Sequence, residues 1–120
     1  MEKIDCICKM RELCKAISEL EESLAQTHGI TLNEAMVMCC IGSDKVTAGD
    51  IAKATGIKAS HLSKILHSIE NKGLVKRNFG DTDKRQVCFV LTPVATETLS
   101  RLKCTGIPIP SILAPFFSTK

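Results

Sequence analysis

Residues 58–75 read KASHLSKILHSIENKGLV, and on a helical wheel advancing about 100° per residue they separate into two faces. Leu62, Ile65, Leu66 and Ile69 gather on one side at i, i+3, i+4, i+7, the spacing of a packed amphipathic helix. Ser60, Ser63, Lys64, His67 and Asn71 gather on the other, short hydrogen-bonding groups with a cation rather than the Glu/Lys alternation of a merely solvated face. Gly73 stands where a left-handed C-terminal stop belongs, and Leu74 and Val75 then begin an extended segment. One face of this helix is suited to a core and the other to a polar partner.

Immediately upstream, Thr47 with Asp50 three residues later reads as the cap of a helix running through Thr55, and Gly56 and Ile57 make a turn. Ile51, Ala52 and Ala54 are small enough to let a crossing helix approach closely. Helix, glycine turn, helix is the local pattern of a helix-turn-helix, whose second member lies in the DNA major groove, although helical corners in many proteins share it. The downstream sequence narrows the choice. Residues 74–77 are β-compatible, QVCFVL at 86–91 is a clear β segment, and NFGDTDKR at 78–85 supplies a polar tip. A β-hairpin directly after a helix-turn-helix makes a winged helix, so the expected fold is mainly α with a small β-hairpin wing. Thr92-Pro93 then opens a helix to about Lys103, with Val94, Leu99 and Leu102 on its apolar side.

Toward the N-terminus, Ile4, Ile7, Cys8, Leu13, Cys14, Ile17, Leu20 and Leu24 recur at helical spacing until Gly29. A helix of roughly 25 residues would be about 37 Å long, more than a small domain buries internally, so part of this stripe is expected to meet a partner chain. Glu2, Asp5, Glu12, Glu19 and Glu22 make its other face too acidic for DNA. Thr31 and Glu34 have the T-x-x-E form of a capping box, opening a helix that is apolar nearly all round, and hence buried, to Gly42. Residues 43–46 read as a short connection. At the other end, Gly106, Pro108 and Pro110 stop the last helix, and three prolines keep the apolar tail 107–117 from forming one long helix. Such a tail is expected to dock, a neighbouring subunit being one surface for it. The expected organisation is an N-terminal dimerisation helix (1–30), a winged helix-turn-helix (31–92), and a C-terminal helix and tail contributing to dimerisation (93–120). Ile4, Ile7, Ile17, Leu102, Ile107, Ile109, Ile112, Leu113, Phe116 and Phe117 are the candidate dimer contacts.

A chain of 120 residues is expected to form one domain with a real core. Its longest apolar run, 35–41, is too short to span a bilayer, and MEKIDCICK at the start lacks a secretory apolar segment, so a cytoplasmic protein is expected. Seven cysteines, an odd number without a regular framework, read as reduced thiols. The net charge of +3 is unevenly placed: residues 1–44 carry 4 basic and 8 acidic side chains, a net −4, whereas residues 45–85 carry 9 basic and 4 acidic, a net +5. The basic excess surrounds the amphipathic helix and suits a polyanion, although a solvated basic surface is the plain alternative.

The block VTAGDIAKATGIKASHLSKILHSIENKGLVKR at 46–77, the wing sequence Asp83-Lys84-Arg85 and the strand end Phe89-Val90-Leu91-Thr92 together resemble the MarR family of bacterial transcriptional regulators. The resemblance runs from the first helix to about Lys103, and the D-x-R wing is its most specific piece. It implies a homodimer binding a pseudo-palindromic operator in double-stranded DNA, usually as a repressor, and releasing it to a small-molecule or oxidant effector. Carried onto this chain, the positions that meet bases or phosphates are Ser60, His61, Ser63 and Lys64, with His67 a turn further on. Arg85 matches the wing arginine that enters the minor groove and Asp83 the acid that orients it. A narrow minor groove concentrates negative potential and favours a guanidinium, and a carboxylate can fix its fork. Lys84 and Arg77 lie close enough in sequence to add phosphate contacts. The C-terminal region is shorter and more proline-broken than the family's usual pair of long helices. Lys58 falls at the N-cap of the recognition helix, where it supplies no acceptor, so Ser60 is an alternative cap. A ligand pocket between the dimer base and the DNA-binding lobes would draw on Met36, Met38 and Phe79.

Cysteine density is also unusual for the family. Cys6, Cys8 and Cys14 invite a thiol-based redox switch, but Cys6 and Cys8 point about 200° apart on a helix, and free cysteines are more often small buried hydrophobes. Cys39-Cys40 reads as core. His28, His61 and His67 show no zinc-ligand spacing with the cysteines, and no cofactor is implied. Glycine-rich phosphate loops, paired catalytic carboxylates and Ser/His/Asp motifs do not stand out, so no enzyme is expected. A winged helix serving as a protein-interaction module is the remaining alternative, and the acid-aimed wing arginine argues against it.

Overall fold

The structure, a computed structural model, describes residues 7–79 and 87–117. Ile4 and Cys6, and the wing residues Asp83, Lys84 and Arg85, lie outside the described residues. Internal contacts divide the chain into two compact units, residues 1–31 with 106–120, and residues 32–105.

In the first unit, α1 (Lys9–His28) buries Ala16, Leu20 and Leu24, one apolar stripe at i, i+4, i+8. Gly29 ends it with φ +70°, its N–H donating to the Ala25 carbonyl at 3.1 Å, as its position in the sequence requires. His28 Nε2 lies 3.3 Å from the carbonyl oxygen of Gly106. The apolar tail forms a short 3-10 helix, Ser111–Phe116, which packs against α1 of its own chain with Leu113 buried. Pro115 lies within that helix and cannot donate a backbone hydrogen bond, which keeps the turn short.

The second unit holds α2 (Leu32–Ile41), β1 (Val46–Thr47), α3 (Ala48–Thr55), α4 (Ala59–Asn71), β2 (Val75–Phe79), β3 (Val87–Leu91) and α5 (Pro93–Thr105). Its core is Val37, Met38, Ile41, Ile51, Leu62 and Ile69, each at most 1% exposed. The three strands form an antiparallel sheet in the order β1-β3-β2, with Val46 opposite Phe89 on one side and Arg77 opposite Phe89 on the other. Helices α2, α3 and α4 pack on one another and α4 packs on β2, the winged helix-turn-helix expected from the sequence.

Four local expectations are corrected. The connection before α3 contributes a two-residue strand, β1, which pairs with β3; two residues are too few for alternation to show in a sequence. Helix α2 is not buried all round, since Met36 and Cys39 are exposed and Cys40 is half-buried. Cys39 therefore does not belong to the core. On α5 the buried residues are Ala95 and Thr98, whereas Val94 is 55% exposed and Leu99 and Leu102 are half-buried. Small residues let α5 pack on α2 and β3, and the Thr98 hydroxyl is satisfied by donating to the Val94 carbonyl at 2.9 Å. Ser60 does not cap α4; Lys58 occupies that position with extended backbone and no side-chain hydrogen bond. No helix among the described residues is long and apolar enough to cross a membrane.

Candidate nucleic-acid interface

Local rules of helix starting and stopping present α4. Thr47 caps α3 in a full capping box: its hydroxyl accepts the Asp50 N–H at 3.1 Å while Asp50 Oδ2 accepts the Thr47 N–H at 3.2 Å. Gly56, at φ +76°, turns the chain out of α3. Helix α4 begins three residues later, the Leu62 N–H donating to the Lys58 carbonyl at 2.8 Å. At its other end Leu74 N–H donates to Ile69 O at 2.9 Å and Gly73 N–H to Glu70 O at 3.0 Å, the paired bonds of a Schellman stop with Gly73 at φ +74°. Leu74, just beyond, is buried with Ile69.

Between those ends the wheel resolves as the sequence implies. Leu62, Ile65, Leu66 and Ile69 are buried, each contributing about 1.5–3 kcal/mol of apolar burial. Ser60, His61, Ser63, Lys64, His67 and Asn71 are all exposed, so the candidate recognition residues share one outward surface with Lys58 at its leading end. Two further groups of contacts had no counterpart in the sequence reading. Glu34 of α2, 3% exposed, accepts hydrogen bonds from Ser68 Oγ at 2.6 Å and from Lys72 Nζ at 2.7 Å, at the C-terminal end of α4. Arg77 of β2 donates through Nε to both carboxylate oxygens of Glu70, at 3.0 and 3.3 Å, and its guanidinium lies 5.8 Å from the centre of the Phe89 ring. Arg77, a candidate phosphate ligand, is thus also a tie between wing strand and recognition helix. One signal for Glu34 was legible: it is the one acid in a helix that is otherwise apolar but for Asn33.

Thr92 joins the site from behind. Its hydroxyl donates to the Gly73 carbonyl at 2.7 Å and accepts the Ala95 N–H at 3.3 Å, capping α5 and bracing the turn that ends α4. Of the suggested ligand-pocket side chains, Met38 is fully buried while Met36 and Phe79 are exposed. Among the candidate dimer contacts Ile7, Ile109, Ile112, Phe116 and Phe117 are exposed, Ile17, Leu102 and Ile107 are half-buried, and Leu113 is buried within the chain. Cys8 and Cys14 are exposed thiols.

The sequence matches the model of the MarR family over residues 28–86. A candidate transcriptional regulatory protein for the hcr operon of Thauera aromatica is 25% identical over 89 residues, which cover 73% of this chain and 54% of that protein. The chain therefore spans about half the length of that relative. Among solved structures, AbsC, a MarR family transcriptional regulator from Streptomyces coelicolor, superposes with a TM-score of 0.71 at 25% identity, over 88% of this chain and 77% of that one. MepR of S. aureus, solved as a complex with DNA, superposes with a TM-score of 0.73 at 19% identity, over 86% of this chain and 77% of that one, a likeness of fold. With its winged helix-turn-helix matched in both sequence pattern and fold, the chain is similar to the MarR family over that region.

Proposed function

We propose that this chain is a sequence-specific, DNA-binding transcriptional regulator that acts as a homodimer, most simply as a repressor, on a pseudo-palindromic operator. The observation that carries the reading is the exposed polar face of α4, with Ser60, His61, Ser63, Lys64 and His67 outward and four aliphatic side chains fixing it from behind. Its residues are short hydrogen-bond formers and bases suited to base edges and phosphates. The net +5 of residues 45–85 supplies the non-specific electrostatic attraction. Relatives solved on DNA, MepR among them, support the same use of the fold. In this reading α4 enters the major groove, Arg85 reaches the minor groove with Asp83 aiming it, and Lys84 and Arg77 serve the phosphates. Exposed apolar residues of the first unit, Ile7, Ile109, Ile112, Phe116 and Phe117, would be covered by the second protomer. The two recognition helices then need to sit about 34–36 Å apart.

Selecting bound fragments from the source genome and footprinting one tests the proposal. Two protected half-sites about one helical turn apart are expected, with affinity that falls steeply as salt rises. Affinity for the selected site that stays flat between low and high salt would overturn it.

A further inference from the structure

The apolar face that seats α4 is non-directional. Aliphatic side chains tolerate small rotations of a helix about its own axis, because sliding contacts lose little buried area. Base recognition tolerates far less. A rotation of about 10° moves a side chain at a radius of about 5–6 Å by about 1 Å, enough to take a hydrogen bond out of its working range. Something directional must set the rotation of α4, and Glu34 has the required geometry. Its carboxylate is 3% exposed, belongs to α2, and reaches two groups one turn apart at the C-terminal end of α4, Ser68 within the helix at 2.6 Å and Lys72 at its C-cap at 2.7 Å. A carboxylate so buried is costly unless its partners stay in place, and the cost rises as soon as α4 turns away.

We infer that Glu34 is a positioning residue for the recognition face, fixing the rotation of α4 through Ser68 and Lys72 without touching DNA itself. The inference rests on the DNA-binding reading above. Lys72 accordingly serves α2 as an anchor point, and the operator is read by the half of α4 that precedes it.

The double variant Glu34→Gln/Lys72→Met tests this, because it removes one charge of each sign. Net charge is unchanged, and removing both charges together avoids leaving an unpaired carboxylate at the 3% exposed position. Affinity is measured for the selected operator and for random-sequence DNA, across a salt series, with circular dichroism as the check on folding. The expected result is a loss of roughly ten-fold on the operator, the scale of one misplaced base contact, with random-sequence affinity and salt slope unchanged. An unchanged ratio of the two affinities overturns the role of Glu34, and so does a parallel fall of both, which is the mark of a purely structural group. Should the double variant not fold, Ser68→Ala decides, since it removes one hydrogen bond from a neutral donor and leaves the ion pair: a ratio lowered two-fold or more supports the inference and an unchanged ratio overturns it. Wild-type protein that binds no DNA in a salt-dependent manner defeats the DNA reading itself, before any variant is compared, and takes this inference with it.

Discussion

Glu70 and Arg77 join the recognition helix to the wing: the Glu70 carboxylate accepts two contacts from Arg77 Nε, the nearer at 3.0 Å. Glu70 is 32% and Arg77 50% exposed, so the pair lies near water and is worth less than about 1 kcal/mol of stability. Its greater consequence is for binding. A phosphate that takes Arg77 must compete with Glu70, so Glu70→Gln is expected to raise affinity for random-sequence DNA and steepen the log–log salt dependence by about one unit, the increment for one more neutralised phosphate. Fluorescence anisotropy over a salt series reads both. A slope unchanged from wild type would mean that Glu70 does not hold Arg77 back from phosphate.

Thr92 offers a cleaner test of stability. Thr92→Val keeps the side-chain shape but leaves the Gly73 carbonyl and the Ala95 N–H without their hydroxyl partner, at a position only 8% exposed. A loss of about 1–2 kcal/mol is expected in urea denaturation, the combined effect of a cap and a buried hydrogen bond. A midpoint within error of wild type would show that the brace behind α4 contributes nothing.

Lys58 opposes stability to binding. It sits at the N-cap of α4 with extended backbone and no side-chain hydrogen bond. Lys58→Ser supplies the missing acceptor and is expected to stabilise the protein by about 0.5–1 kcal/mol. The same change removes an exposed cation from the leading end of the recognition face, so affinity for DNA should fall while the melting temperature rises. Both quantities moving in the same direction would contradict the account.

These residues also mark where the sequence is legible. Thr47 with Asp50, Gly73 and Thr92-Pro93 act over three or four positions, and a local rule read from spacing finds each of them. Glu34 shows the limit. Its T-x-x-E context speaks only of a helix start, while Ser68 and Lys72 lie 34 and 38 positions away and meet it only once α2 and α4 have packed. Packing likewise decides that Ala95 and Thr98, rather than Val94, face inward on α5, since hydrophobicity ranks them in the opposite order. The exposed half of α4 was legible because period 3.6 alone separates it from the buried half. The ties that hold that half in one orientation were not, because no periodicity encodes them.

Arg85 carries the sharpest prediction. It lies outside the described residues, but the strands on either side constrain the argument: β2 and β3 pair through Phe79 opposite Val87, so the seven residues joining them, GDTDKRQ, include Asp83, Lys84 and Arg85. Glu70 and Phe89 hold Arg77 at the middle of β2, so the wing's other basic groups are Lys76 on that strand and Lys84 and Arg85 in the joining segment. Arg85→Ala is expected to weaken operator binding more than ten-fold, in line with about 1–3 kcal/mol for a good groove contact. Asp83→Asn should lose less, because it removes the carboxylate that aims the guanidinium and leaves the guanidinium itself. Titrating both variants against operator and random-sequence DNA at one salt concentration separates the causes. A loss confined to the operator supports minor-groove reading, since a narrow groove is a property of particular sequences. An equal loss on both DNAs reduces Arg85 to a phosphate contact, and no loss on either removes the wing from the interface.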